Sequence, residues 1–133
     1  MKDLVAAALL FISLAYVDGF SQYATLIPNG NQVPNPCAGG GIWSAVGHST
    51  LAGGGPRNAF GTAFRVNNYI WNTVLCRADS DGDGISNGAE LGDALCRWTP
   101  GSNRRLGRPT GHPGICEPLN SRRCRNQVAP CVQ

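Results

Sequence analysis

Lysine is nearly absent from this 133-residue chain: Lys2 is the one example, and the ten basic residues after it are all arginine. With no downstream lysine there is no amine nucleophile and no GxxxxGK[ST] phosphate loop, and the dinucleotide signature GxGxxG is missing too. No HExxH pair is present to hold a catalytic zinc. CxxC pairs are also missing, so the cysteines do not read as a zinc framework. Carboxylates are scarce and badly distributed. Beyond residue 19 there are six, and five of them (Asp79, Asp81, Asp83, Glu90 and Asp93) crowd one stretch, leaving Glu117 by itself. Long apolar runs are wanting as well: after Leu4–Val17 no segment is apolar enough to span a bilayer.

The opening MKDLVAAALLFISLAYVDG has a charged start, an apolar run too short for a comfortable membrane span, and small residues at its end. Val17 and Gly19 suit the −3 and −1 positions of a signal-peptidase site. Residues 1–19 therefore read as a secretory signal, and the rest as a secreted, extracellular protein with no membrane span and no nucleic-acid-reading module. The chain from Phe20 onward suits one small domain that is Gly- and Pro-rich and in need of staples. Six cysteines supply them: Cys37, Cys76, Cys96, Cys116, Cys124 and Cys131. In a secreted chain an even count predicts three disulfides, and fifteen pairings are possible.

The fold expected is small α+β, disulfide-rich and loop-rich. Tyr23–Ile27 reads as a short strand, leading into the turn Pro28-Asn29-Gly30. Two triple-glycine runs flank Ile42, Trp43 and Val46 and read as tight bends. Phe60, Phe64, Ile70, Trp71, Val74 and Leu75 recur at helical spacing, which predicts one main amphipathic helix over about 59–77 with Asn58 as its cap and the aromatics in the core. A short second helix is expected over Gly88–Leu95. Beyond it, loop punctuated by Pro and Gly leads to a basic tail from Leu119. Arg104, Arg105 and Arg108, then Arg122, Arg123 and Arg125, form two cationic clusters that can hold sulfated polysaccharide, acidic protein or mineral-associated anions. His48 and His112 offer two imidazoles without an evident third ligand, so hydrogen bonding in the structure is expected of them, not a transition-metal site.

Between the two expected helices lies DSDGDGISNGAE. From Asp79 it satisfies the D-x-[DN]-x-[DN]-G-x5-E calcium template in full. Asp79, Asp81 and Asp83 supply carboxylates, Gly84 the sharp turn, Ile85 a carbonyl, Asn87 a direct or water-mediated ligand, and Glu90 a bidentate closure. The position that pairs sensor loops is occupied by Ser86, and no second loop exists. Cys76 and Cys96 bracket the run. If they pair, a closed loop of roughly 20 residues clamps both arms for about 3 kcal/mol. A clamped loop holds a structural ion and does not open as a switch.

YATLIPNG, VPNPC, IWSAVGH, RNAFG, LCRADSDGDGISNGAELGDALCRWTPG and GHPGICEP occur in an order that resembles the temptin family of secreted molluscan proteins, over about residues 20–118. The resemblance implies a non-enzymatic component of a water-borne pheromone mixture that promotes attraction and mating, acting by contact with other secreted proteins. Temptin-like sequences also occur in shell matrix, so the alternative is an extracellular matrix protein that binds anionic polymers. The resemblance further implies an inner Cys76–Cys96 bridge and an outer Cys37–Cys116 bridge. Cys124 and Cys131, in a 119–133 tail outside the family pattern, would by default pair with each other.

Overall fold

The computed structural model describes residues 21–128, 130 and 131. The expected signal, residues 1–19, lies outside them. Four short α-helices and one 3₁₀ turn (Arg122–Cys124) carry the regular structure: α1 (Ser21–Ala24), α2 (Ala59–Val66), α3 (Thr73–Arg77) and α4 (Asn87–Glu90). Among the described residues there is no strand, only two isolated antiparallel bridges, Pro34 with Ile42 and His48 with Arg57. The α+β expectation is corrected accordingly, to a few helices on a loop frame. The Tyr23–Ile27 segment turns helically because Ala24 and Ile27 must both reach the core, a three-residue spacing that a strand would split between two faces. Tyr23 then stacks on Tyr69 with ring centroids 4.7 Å apart and meets the edge of Phe64.

The single helix over 59–77 is two helices. Asn58 does cap the first, its Oδ1 accepting the Gly61 N–H at 2.9 Å. The end of α2 is a Schellman closure: the Tyr69 N–H donates to the Phe64 carbonyl and the Asn68 N–H to the Arg65 carbonyl, both at 2.9 Å. Asn68 takes the left-handed conformation (φ 56°) usually given to glycine, and Tyr69 comes next at φ 59°. Asn72 then caps α3 through its Oδ1 and the Leu75 N–H, 2.8 Å. The apolar spacing runs on across the break because Phe60, Phe64, Trp71 and Leu75 all enter one core, with Val33, Trp43, Leu91 and Ile115.

At the start of α2 the chain is pressed against its neighbour. A Cβ on Gly61 would lie 2.0 Å from the Gly47 carbonyl oxygen, so only glycine allows this approach. The Asn58 amide holds the same contact, donating to the carbonyls of Val46 (2.8 Å) and His48 (2.9 Å). The glycines of both triple runs have positive φ, as tight bends require.

Three disulfides close the molecule, and no described cysteine is free. Cys76–Cys96 forms as expected across 20 residues. The other two differ from the expected pairs: Cys37 joins Cys131, and Cys116 joins Cys124. The reason is local. The Gln127 amide clasps the backbone of Cys116 on both sides, at 3.0 Å to its N–H and 2.8 Å to its carbonyl. That clasp and the 3₁₀ turn fold Cys124 back onto Cys116, which leaves Cys131 for Cys37.

Candidate metal centre

The acidic loop joins α3 to α4, and these two helices pack against each other. Cys76 on α3 is bridged to Cys96 beyond α4, so the incoming arm and the chain leaving α4 are covalently tied. Between them the loop folds on its own aspartates. Asp79 accepts N–H bonds from Gly82 (2.9 Å), Asp83 (3.2 Å) and Gly84 (2.8 Å), Asp81 accepts from Asp83 (3.1 Å), and Asp83 accepts from Ile85 (2.9 Å). One carboxylate oxygen from each of Asp79, Asp81 and Asp83 lies within 4.8 Å of the others.

Glu90 sits behind this triad, 1% exposed, and its Oε2 has no hydrogen-bond partner. Asp81 Oδ2 is equally buried and equally unpartnered. Burial first, and then the neighbouring aspartates, push the Glu90 carboxyl up to about 9 and the Asp81 carboxyl up to about 8. Two buried carboxylate oxygens that face like charge and lack a donor form the kind of site a cation completes. The donors are all oxygen, which suits a hard divalent ion.

Glu117 is a member of this cluster that the loop template does not contain. Its N–H donates to Asp83 Oδ2 (3.4 Å) and its Oε1 accepts from the His112 N–H (3.0 Å). Burial, then the Asp83 charge, raise its pKa, and its own charge adds to the repulsion on Glu90. Nothing in the sequence places Glu117 beside the loop; its half-buried position is a product of the fold. Arg123 also reaches the loop, its Nη1 donating to the Asp83 carbonyl oxygen. It therefore leaves its sequence neighbours Arg122 and Arg125, which stay exposed.

Asn87 is buried at 0% exposure and its carboxamide is already engaged: Oδ1 accepts from the Ser80 N–H (3.2 Å), and Nδ2 donates to the Leu75 carbonyl and Ser80 Oγ, both at 2.8 Å. It spans the two arms of the loop. Ile85 is 47% exposed on the outgoing arm. Ser86 caps α4, accepting from the Ala89 N–H at 3.3 Å. Gly84–Gly88 also spells the Gly-x-Ser-x-Gly of a nucleophile elbow. That elbow needs a strand before the serine, and here an aspartate loop precedes it, with the serine oxygen committed to the cap.

Neither histidine approaches the acids as a ligand. His112 is 0% exposed against the Trp43 ring, its Nδ1 accepts from the Gly114 N–H at 3.1 Å, and burial lowers its pKa to about 3. It is a neutral core residue at physiological pH. His48 lies at the bridge to Arg57, with its carbonyl held by Asn58. Of the other candidate arginines, Arg104 and Arg105 line one cleft with Arg97, while Arg108 is exposed further along the same segment.

The model of the Temptin C-terminal family matches residues 17–115. Among curated proteins, the chain is similar to Temptin of Aplysia californica, with 46% identity over 103 residues, covering 77% of this chain and 82% of that protein. No solved structure matches it.

Proposed function

The chain belongs to the temptin family, and on that premise we propose that it is a secreted, non-enzymatic component of a water-borne pheromone mixture, acting by contact with other secreted proteins. The observation that carries the reading is the 46% identity to Temptin over most of both chains. Three disulfides fit an extracellular setting, and no helix among the described residues is long and apolar enough to cross a membrane. Immobilised, disulfide-intact protein should retain a small set of secreted proteins from the fluid that contains it, and the captured proteins should rebind it when purified. Passage of every other component through the column would sink the reading. Recovery of the protein only from decalcified shell would turn it toward the matrix alternative.

The same frame carries a structural calcium ion in this reading. Asp79, Asp81, Asp83 and Glu90 would hold it, with Glu117 as an added acid and Ile85 as a carbonyl donor. Asn87 serves the fold around the ion by tying the arms. The unpartnered oxygens of Asp81 and Glu90 support the assignment. The ion's contribution is charge neutralisation, while the Cys76–Cys96 bridge restrains the arms. Extracellular loops of this sort bind with Kd of about 10⁻⁴–10⁻³ M. Calcium at a hundred times Kd should therefore stabilise the protein by about 2.7 kcal/mol over a chelated sample. Far-UV dichroism should change little. Equal melting temperatures in calcium and in chelator would refute the calcium site and leave the family role standing.

A further inference from the structure

The first basic cluster has a use that the proposed role does not absorb. Arg97, Arg104 and Arg105, from two separate segments, line one cleft of about 430 Å³ together with Trp98 and Leu95. That volume lies within the range of about 300–1,000 Å³ usual for ligand sites. The two segments are fixed to each other. The Gly107 N–H donates to the Gly92 carbonyl (2.8 Å), and the Asn29 amide donates to the carbonyls of Leu91 (2.8 Å) and Gly107 (2.9 Å).

Asp93 is the one acid in the lining, and its carboxylate is committed to donors of the fold. It is 6% exposed, with Oδ2 accepting from Trp71 Nε1 (3.0 Å) and Oδ1 from the N–H groups of Arg97 (3.0 Å) and Trp98 (3.2 Å). Among the described residues none of the three guanidinium groups has a carboxylate partner. Three free planar forks on one cleft suit several oxyanions held close together. The half-buried Trp98 and the 70% exposed Leu95 add an apolar wall for the body that carries those anions.

We propose that this cleft binds a sulfated polysaccharide, with a sulfated sugar ring against Trp98 and its anionic groups on Arg97, Arg104 and Arg105. A polypeptide fits less well: carboxylates on an extended chain alternate between faces, so one cleft meets few at once. A sulfated ring brings several oxyanions to one place. Arg108, exposed on the same non-helical segment, is available to the next unit of the polymer.

The test uses the disulfide-intact protein in calcium-containing buffer, with titration calorimetry against a heparin octasaccharide, a hyaluronan octasaccharide and a poly-aspartate peptide of matched charge. The heparin fragment should bind most tightly and weaken as salt rises. Arg104→Ala with Arg105→Ala should cost about tenfold or more. Arg122→Ala with Arg125→Ala removes the same charge away from the cleft and should change affinity less than about twofold. Arg104→Lys with Arg105→Lys keeps the charge and should still lose several-fold, because the forks are gone. Trp98→Ala should weaken heparin binding at unchanged salt dependence. Equal losses from the two double-alanine variants would reduce the effect to net charge and overturn the site. Tighter binding of poly-aspartate would assign the cleft to an acidic protein, and equal binding of hyaluronan would remove the sulfate requirement; either overturns the proposal. Melting curves of each variant separate loss of binding from loss of fold.

Discussion

At the scale of single residues, charge and space make two sharp demands. Glu90 is a buried acid with one oxygen unpartnered, so its effect on stability depends on what neutralises it. Glu90→Gln keeps the shape and removes the need to hold a charge or take up a proton in the fold. In chelator it should stabilise the fold by the order of 1–3 kcal/mol of relieved desolvation and proton uptake, and so raise the melting temperature. In calcium it should forfeit most of the stabilisation the ion gives. Melting curves under both conditions check the reversal of sign, and a variant that loses stability in both would show Glu90 to be a packing residue. Gly61 makes the demand of space. Its Cβ position is taken by a backbone carbonyl, which cannot swing aside as a side chain can, so Gly61→Ala should cost about 1–3 kcal/mol in urea unfolding. Gly61 reads in the sequence as a mild helix weakness. Its true reason, contact with Gly47, is a tertiary fact invisible to local propensity.

At the scale of elements, the most legible part was the loop and the least legible were the junctions. Alternating aspartates, Gly84 and Glu90 are spaced for a turning backbone, and the structure gathers the three aspartates as that spacing implies. Asn58 was readable as a cap because a side-chain oxygen before an apolar periodic run has one obvious use. The break between α2 and α3 was hidden because a continuous apolar spacing can serve two helices that share one core. Asn68 and Asn72 held the missing information, one as a left-handed closure and the other as a new cap. Glu117 and Arg123 were beyond reach of the sequence, since long-range folding alone delivers them to the loop. The inner disulfide is the element whose energy is most easily measured. Cys76→Ser with Cys96→Ser should cost about 3 kcal/mol by chain entropy. It should also raise the far-UV change on calcium addition, because the untied arms can then separate. An unchanged calcium response in that variant would show that α3, α4 and Asn87 hold the arms without the bridge.

At the scale of the whole molecule, the six acids and ten arginines beyond residue 19 are segregated. Asp79, Asp81 and Asp83 converge, Glu90 and Glu117 add their charge beside them, Asp93 is spent internally, and the arginines other than Arg123 remain for the exterior. The consequence is a pH dependence to which two kinds of group contribute with opposite sign in metal-free protein. His112 is protonated only near pH 3 in the fold but at about 6.5 when unfolded. The unfolded chain therefore binds the extra proton between those values, and stability from this group rises with pH up to about 6.5. Glu90 and Asp81 act in the reverse sense. Their folded pKa values of about 9 and 8 exceed the ordinary 4.5 and 3.8, so the fold binds the extra protons, and stability falls as pH climbs through that window. Below pH 6.5 the two carboxylates outweigh the one imidazole, and above it they act alone. Chelated protein should therefore lose melting temperature from about pH 4.5 to 9, more steeply above pH 6.5. Saturating calcium neutralises the carboxylates in place of protons, so it should remove that decline and leave stability rising with pH up to about 6.5, the sense that His112 gives. Melting curves at half-unit steps from pH 4 to 9, with calcium and with chelator, read both contributions. An alkaline decline of equal slope in the two series would mean that the acidic centre does not hold the ion.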